Sequence, residues 1–258
     1  MLNIAYKKTR IDEKDMESLI NPPVKIALFQ LKFSAVNIKS FSETDVLLKH
    51  KFSIRKDNIE VGLNLYNTTI PLGKSPLKGT SDAKIKSYIY LTPDQKERVE
   101  ILEDTLTYVS ELPYHGWENF VAQVESVLSI MSNVLGNVEI WRTSIRFVNR
   151  FLLDEFETPD EYFTTLISKK GDSLYPLSQY GFRLQYEVPQ TNVYAIVNQS
   201  VEKDFSNKYI YLLDIDVLNK QSLYYEKETI LSSMSNLREI KNKIFFDSIT
   251  EKTKALCN

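Results

Sequence analysis

The stretch WRTSIRFVNRF, residues 141–151, combines the alternation of a β-strand with three arginines. Successive side chains of a strand point to opposite faces. One face therefore receives Trp141, Thr143, Ile145, Phe147, Asn149 and Phe151. The other face receives Arg142, Arg146 and Arg150, with Ser144 and Val148 between them. The stretch predicts a strand with one buried face and, at roughly 3.3 Å per residue, a guanidinium row about 13 Å long on the other.

Three like charges on one strand face repel unless they are solvated, paired with carboxylates or held for an anionic ligand. The segment LLDIDV, residues 212–217, places Asp214 and Asp216 on one face of another apolar strand, where unpaired carboxylates are costly. We favour an arginine–aspartate ladder between neighbouring strands. A groove for anions and a metal site on the two aspartates are the alternatives, although the metal site lacks an evident third ligand.

Position along the strand separates the three arginines. The central residue, Arg146, has small neighbours on its own face and room for a carboxylate from the next strand, so we predict a structural role for it. Arg142 and Arg150 approach the strand ends, and we predict that they are more exposed and are the better candidates for contact with a partner.

Further strands are predicted on both sides of this stretch. Residues 55–58, RKDN, are predicted to be a turn between two strands, and residues 69–82 are predicted to be a loop. A capping box at Thr158, with Pro159 next and Glu161 three residues on, predicts a short helix. The predicted strands are 21–33, 45–54, 59–66, 84–91, 98–103, 105–112, 181–188, 192–200 and 208–217.

Two long amphipathic helices are predicted, each after a run of strands. Apolar residues recur at three- and four-residue steps from Trp117 to Leu135, and again between about Tyr225 and Ala255. This order predicts an α+β fold in which antiparallel sheets are each covered on one face by a long helix, with two similar halves. The expected divisions are a polar arm at 1–20, a first half at 21–137 and a second half at 138–258, packed as one unit.

Composition narrows the function classes. The chain has 258 residues and a net charge of −2, whereas general nucleic-acid binders usually carry a basic excess. No lysine or arginine occurs between Arg98 and Arg142, where seven acidic residues lie, so charge is segregated along the chain. The single cysteine, Cys257, and the lack of a signal peptide or a long apolar run predict a cytoplasmic protein that does not span a membrane.

Residues for catalysis or cofactor binding are not evident. His50 and His115 are the only histidines, and neither has metal-ligand spacing to another histidine or to a cysteine. No phosphate-binding loop, dinucleotide fingerprint or nucleophile elbow is present. We expect no cofactor, no metal and no catalytic residue.

Residues 142–150, RTSIRFVNR, resemble the hallmark of the "sporadically distributed" family of uncharacterised bacterial proteins, which reads Arg-x-Gly-Leu-Arg-Tyr-Ile-Asn-Arg. Ser144 replaces the usual glycine, and Ile26 stands where a glutamate is common. The family has no established activity, and its patchy distribution is similar to that of mobile or defence-associated genes. Other landmarks in the same order are Pro22-Pro23-Val24, Ala27-Leu28-Phe29, Trp117, Leu213-Asp214-Ile215-Asp216, Ile244-Phe245 and Ile249-Thr250.

The leading hypothesis is a non-enzymatic protein-interaction or regulatory protein of bacterial type, associated with antiviral defence or a toxin–antitoxin locus, with a protein partner or a second copy of itself. Its candidate binding residues are Arg142, Arg146, Arg150, Asp214 and Asp216. The alternative is an anion- or nucleic-acid-binding module that uses the three arginines. A weaker alternative is a metal-dependent phosphodiesterase or nuclease that uses the two aspartates.

Overall fold

The computed structural model describes residues 19–65, 79–153, 161–165, 179–203 and 208–258. The strands are β1 (Val24–Phe33), β2 (Ile54–Leu65), β3 (Gly79–Leu91), β4 (Glu97–Leu102), β5 (Thr105–Glu111), β6 (Glu139–Leu153), β7 (Tyr180–Glu187), β8 (Val193–Lys203), β9 (Tyr209–Asn219) and β10 (Leu223–Tyr224). The α-helices are α1 (Asp45–Lys49), α2 (Trp117–Leu135), α3 (Lys227–Ser248) and α4 (Glu251–Ala255), and a 3-10 helix spans Ile38–Thr44.

Within the described ranges, the strands form one antiparallel sheet in the order β2-β3-β4-β5-β1-β6-β9-β8-β7, with β10 paired to β6. The predicted arginine strand is the central strand β6. It lies between β1 and β9, with Arg146 opposite Leu28 on one side and Asp216 on the other. The pairing of β1 with β6 joins residue ranges 21–137 and 138–258 in a single sheet, and the fold is α+β.

One face of the sheet is apolar, and side chains from α2 and α3 pack with it in one core. Phe147 of β6 lies 5.7 Å, centroid to centroid, from Phe120 of α2, and Phe151 lies 6.4 Å from Phe245 of α3. The buried positions of α2 recur at three- and four-residue steps, as the sequence predicts, and they include Phe120, Val124, Val127, Leu128, Met131 and Leu135. No helix in the described ranges has both the length and the apolarity needed to cross a membrane.

The predicted strand at 45–54 and the predicted turn at 55–58 are both wrong. Residues 45–49 form α1, in which Leu48 alone is buried, and β2 runs without a break from Ile54 to Leu65. The four predicted turn residues stay extended because each pairs with β3, from Arg55 opposite Tyr90 to Asn58 opposite Ser87. Asp57 also accepts hydrogen bonds from Arg55, two positions away on the same strand. Residues 79–82 of the predicted loop belong to β3, and the rest of that loop lies outside the described residues.

The closing helix is shorter than predicted because it ends at Ser248 and a separate α4 starts at Glu251. Ile249 between them is extended and forms a β-bridge with Phe163. That bridge also shows that the short helix predicted from Thr158 does not continue through Phe163. Thr158 and Pro159 themselves, like residues 1–18 of the predicted arm, lie outside the described residues.

Candidate binding face

The face of the sheet opposite the core has charged and polar side chains at its centre, and we name it the polar face. In β6 it presents Arg142, Ser144, Arg146 and Arg150, and in β9 it presents Asp214 and Asp216. The strand register places these residues side by side, because Arg146 pairs with Asp216 and Val148 pairs with Asp214. The structure therefore brings all five sequence-predicted residues onto one face of two neighbouring strands.

Arg146 and Asp214 form a two-point ion pair. Nε of Arg146 donates to Oδ1 of Asp214 and Nη2 donates to Oδ2, both at 2.8 Å. Asn198 of β8 donates a third hydrogen bond to Oδ2 at 3.0 Å. Hydrogen bonding to Asp214 raises the pKa of Arg146 above its ordinary value, against the opposite effect of partial burial. The ladder predicted from the sequence thus has this one bidentate rung.

Asp216 stands in a different environment, although it lies directly across from Arg146. Its Oδ1 atom is buried and accepts no hydrogen bond from the described residues. Burial raises the pKa of Asp216 above its ordinary value, and the charges of Arg142 and Arg146 oppose that shift without cancelling it. Asp216 therefore contributes less negative charge to this face than its sequence position suggests, because desolvation favours the neutral form of its carboxyl group.

The exposure predicted for the three arginines is wrong for two of them. Arg146 is the residue with the half-exposed side chain, at 46%, whereas Arg142 is partly buried. The cause is Gln30 of β1, whose Oε1 accepts a hydrogen bond from Nη2 of Arg142 at 3.1 Å and holds that side chain along the sheet. Arg150 is exposed as predicted.

Two buried polar atoms beside the ion pair lack partners within the described part of the chain. Nε of Arg142 donates no hydrogen bond, and Oγ of Ser144, a residue only 1% exposed, makes none either. Buried polar groups are hydrogen-bonded in the large majority of native proteins, so each exception needs an explanation. Together with Oδ1 of Asp216, these atoms form a cluster of buried donors and acceptors beside the ion pair that make no hydrogen bond with the described residues.

Trp141 departs from the strand alternation. The register of β6 against β1 shifts by one residue between Ile140 and Arg142, so Ile140 occupies the buried position and Trp141 is 40% exposed. The ammonium group of Lys32 lies 5.6 Å from the Trp141 ring. The predicted core position of Trp141 is therefore wrong, because alternation fails at a bulge.

The side chains of this face are suited to binding anions. Among the described residues, no group of three or more histidine, cysteine, aspartate or glutamate side chains could hold a metal ion. The thiol of Cys257 is buried, and burial raises its pKa, which disfavours the reactive thiolate. The guanidinium groups can receive carboxylates or phosphates in a planar, two-point geometry.

Arg183, Asn198 and Gln30 belong to the polar face but were not identified from the sequence. Arg183 of β7 pairs in register with Asn198 of β8, which pairs with Asp214 of β9, so the three residues form a row across the sheet. A lone arginine within the predicted strand 181–188 was the available signal. The strand order that brings it near Asp216 depends on pairing between segments that are distant in sequence.

Comparisons with protein-family models and with curated proteins found no match to this chain. The resemblance of residues 142–150 to a family hallmark therefore remains a prediction.

Proposed function

We propose that this chain is a non-enzymatic interaction protein whose polar face docks an acidic segment of a protein partner. The observation that supports this most directly is the charge imbalance on that face. Arg142, Arg146, Arg150 and Arg183 lie there with two aspartates, one of which is paired while the other has a raised pKa. The excess of guanidinium groups favours anionic ligands.

An acidic protein segment fits this face better than nucleic acid does. A net charge of −2 opposes the long-range attraction that phosphate backbones require. The carboxylate of Asp214 would also repel a uniform row of phosphates, whereas a peptide can place isolated carboxylates away from it. Arginine pairs with single carboxylates through two parallel hydrogen bonds.

The experiment is a fluorescence anisotropy titration with three labelled probes of equal charge: a glutamate-rich peptide, a single-stranded DNA and a single-stranded RNA. Each probe is titrated at two salt concentrations. We expect the peptide to bind and the oligonucleotides to bind more weakly. Arg150→Glu and Arg142→Gln should each weaken peptide binding at least tenfold, because each removes a guanidinium group from the face.

The matched control is the double variant Lys39→Gln/Lys243→Gln, which removes exposed positive charge away from the polar face and should bind the peptide like the wild type. Thermal melts of all variants show whether they remain folded. Peptide binding that Arg150→Glu leaves unchanged would contradict the proposal. Tighter binding of the oligonucleotides, lost in the same variant, would establish the nucleic-acid alternative instead.

We also propose that the chain consists of two similar halves, each closed by a long helix over the core face. The sheet order supports this, because β1 and β6 are adjacent at its centre and each half returns to them through antiparallel neighbours. Helix α2 follows β5, and α3 follows β9 and β10. On the family resemblance alone, we extend the proposal to a regulatory role in a bacterial defence or toxin–antitoxin locus, in the cytoplasm.

A further inference from the structure

A second cluster of positive charge lies on the other side of the sheet, in a cavity of about 360 Å³ between the start of β1, the start of α2, β6 and α3. Five aromatic residues contribute to its walls, and they are Tyr114, Trp117, Phe147, Phe245 and Phe246. Cavities of about this size that combine apolar walls with a few convergent polar groups are the usual form of small-molecule sites.

Two cations of α3 line this cavity and lie over its aromatic rings. The guanidinium carbon of Arg238 is 4.9 Å from the centre of the Trp117 ring, and Nζ of Lys241 is 4.6 Å from the centre of the Phe147 ring. Neither cation forms an ion pair with a carboxylate of the described residues, although Glu118 lies in the same wall. Within the described ranges, the cavity therefore contains two cations that are stabilised by ring faces and that no carboxylate neutralises.

The position of Lys241 on α3 is unusual. The buried stripe of that helix runs through Met234, Leu237 and Phe245, and Lys241 stands four residues from each of the last two. An apolar residue at this position would continue the stripe into the core. A lysine at this position loses hydration of its ammonium group. This burial, together with the nearby charge of Arg238, lowers the pKa of Lys241 to about 7.

We propose that this cavity binds a small organic carboxylic acid, whose carboxylate is received by Arg238 and Lys241 and whose planar apolar body lies among the aromatic rings. The carboxylate would supply the missing counter-charge for both cations. The ring of the acid would replace water at an apolar wall. This site is separate from the polar face and does not depend on the function proposed for that face.

The test uses tryptophan fluorescence of the full chain in a Trp141→Phe background, which leaves Trp117, at the cavity wall, as the sole tryptophan, because the chain contains two. Benzoate is titrated as the probe, with acetate and benzyl alcohol as probes that lack the ring and the charge, respectively. We expect saturable quenching by benzoate alone at concentrations where acetate and benzyl alcohol have no effect. No saturable change with benzoate, or equal binding of all three probes, would overturn the proposal.

Lys241→Met and Arg238→Gln should each weaken benzoate binding at least tenfold, whereas the exposed neighbour variant Lys243→Gln should bind like the wild type. Lys241→Met is expected to remain folded, because methionine fills the same apolar position without a charge. Benzoate binding that is unchanged in both cavity variants would show an adventitious site and overturn the assignment.

A calorimetric titration near pH 7.5, in two buffers of different ionisation enthalpy, gives a second readout that a purely structural lysine would not produce. Bound carboxylate favours the ammonium form of Lys241, so each molecule of benzoate bound should bring uptake of a fraction of a proton. The uptake should be absent in Lys241→Met. Binding without proton uptake in the wild type would remove Lys241 from the site.

Discussion

The polar face and the aromatic cavity both contain partly buried positive charge, and they stabilise it in different ways. On the polar face, Arg146 lies against Asp214, which makes three hydrogen bonds with its neighbours. In the cavity, Arg238 and Lys241 lie over aromatic rings without a carboxylate partner among the described residues. The first cation is held by a full counter-charge, and the other two are held by ring faces alone.

The difference indicates which of the two clusters has a structural role and which remains able to bind an anion. A guanidinium in a two-point pair with a buried carboxylate has its bonding capacity partly used, and removal of either partner leaves the other uncompensated. A cation over a ring keeps its hydrogen-bond donors available, so it can still receive an anion. We therefore expect substitutions at the ion pair to affect stability most and substitutions in the cavity to affect pH dependence and binding most.

The largest effect is expected for Asp214→Asn. The amide cannot serve as a two-point acceptor for Arg146, and its own NH₂ group would face donors from Arg146 or Asn198. The free energy of unfolding should fall by about 1–3 kcal/mol, the usual range for a buried group left unsatisfied. Denaturant melts measure it, with Glu251→Gln as the control, because the Glu251 side chain is 88% exposed although it pairs with Lys254. An unchanged midpoint would mean that the pair contributes nothing to the fold.

A smaller effect on stability is expected from Lys241, and it should be visible in the dependence of the free energy of unfolding on pH. Its folded pKa of about 7 lies below its ordinary value, so between pH 7 and about 10.5 the unfolded chain holds a proton that the folded chain lacks. Wild-type stability should therefore rise with pH across this window, by on the order of 1–2 kcal/mol between pH 7 and pH 9.

Lys241→Met should lack this rise, and the difference between the two stability–pH curves isolates the lysine. The other charged or titratable groups that line the cavity are Tyr114, Glu118 and Arg238, and both proteins share them. Parallel stability–pH curves for wild type and variant would show that Lys241 is solvated and that burial does not lower its pKa.

Asp216→Asn should raise the free energy of unfolding at pH 7, whereas Asp214→Asn should lower it. Because the folded pKa of Asp216 is raised, the ionised carboxylate destabilises the native state at every pH above the pKa of the unfolded chain. At pH 7 the variant should be more stable than the wild type, because the amide does not carry the buried charge that destabilises the folded carboxylate. The gain should vanish as the pH falls through the raised pKa, and melts at pH 7, 5 and 4 check this. A loss of stability at pH 7 would show that Asp216 has a favourable pairing.

The smallest effect is expected at Arg150. Its side chain is exposed and makes no ion pair within the described residues. Arg150→Gln should change the free energy of unfolding by less than about 0.5 kcal/mol, as substitutions of exposed residues usually do. Differential scanning calorimetry measures it, and a clear drop in melting temperature would place Arg150 in the ion-pair system of the polar face.

Local patterns were enough to predict β6 and α2. Alternation identified the strand face with Arg142, Arg146 and Arg150, and three- and four-residue steps identified the buried stripe of α2. The same reasoning failed where pairing with a distant strand or a bulge changed the pattern. Pairing with β3 keeps the turn-like residues 55–58 extended, and the register shift at Trp141 places that ring outside the core.

The candidate sites also include residues that the sequence identified and residues that it missed. The sequence pointed to the five residues of the polar face because charges in apolar strands are costly wherever they lie. A lysine in the apolar stripe of α3 was an equally readable signal, and Lys241 was not singled out. Its meaning depends on Trp117 and Phe147, which come from α2 and β6.

What the sequence by itself determined is therefore the face on which each charged side chain lies, because side-chain direction follows from a period of two along a strand or 3.6 along a helix. Only the tertiary structure decided which charge is paired. The register between β6 and β9 brought Asp214 within reach of Arg146 and left one oxygen of Asp216 without a partner among the described residues, although both aspartates share one face of the same strand. Pairing depends on distances of a few ångströms between distant segments, and these distances are set when the sheet and helices pack.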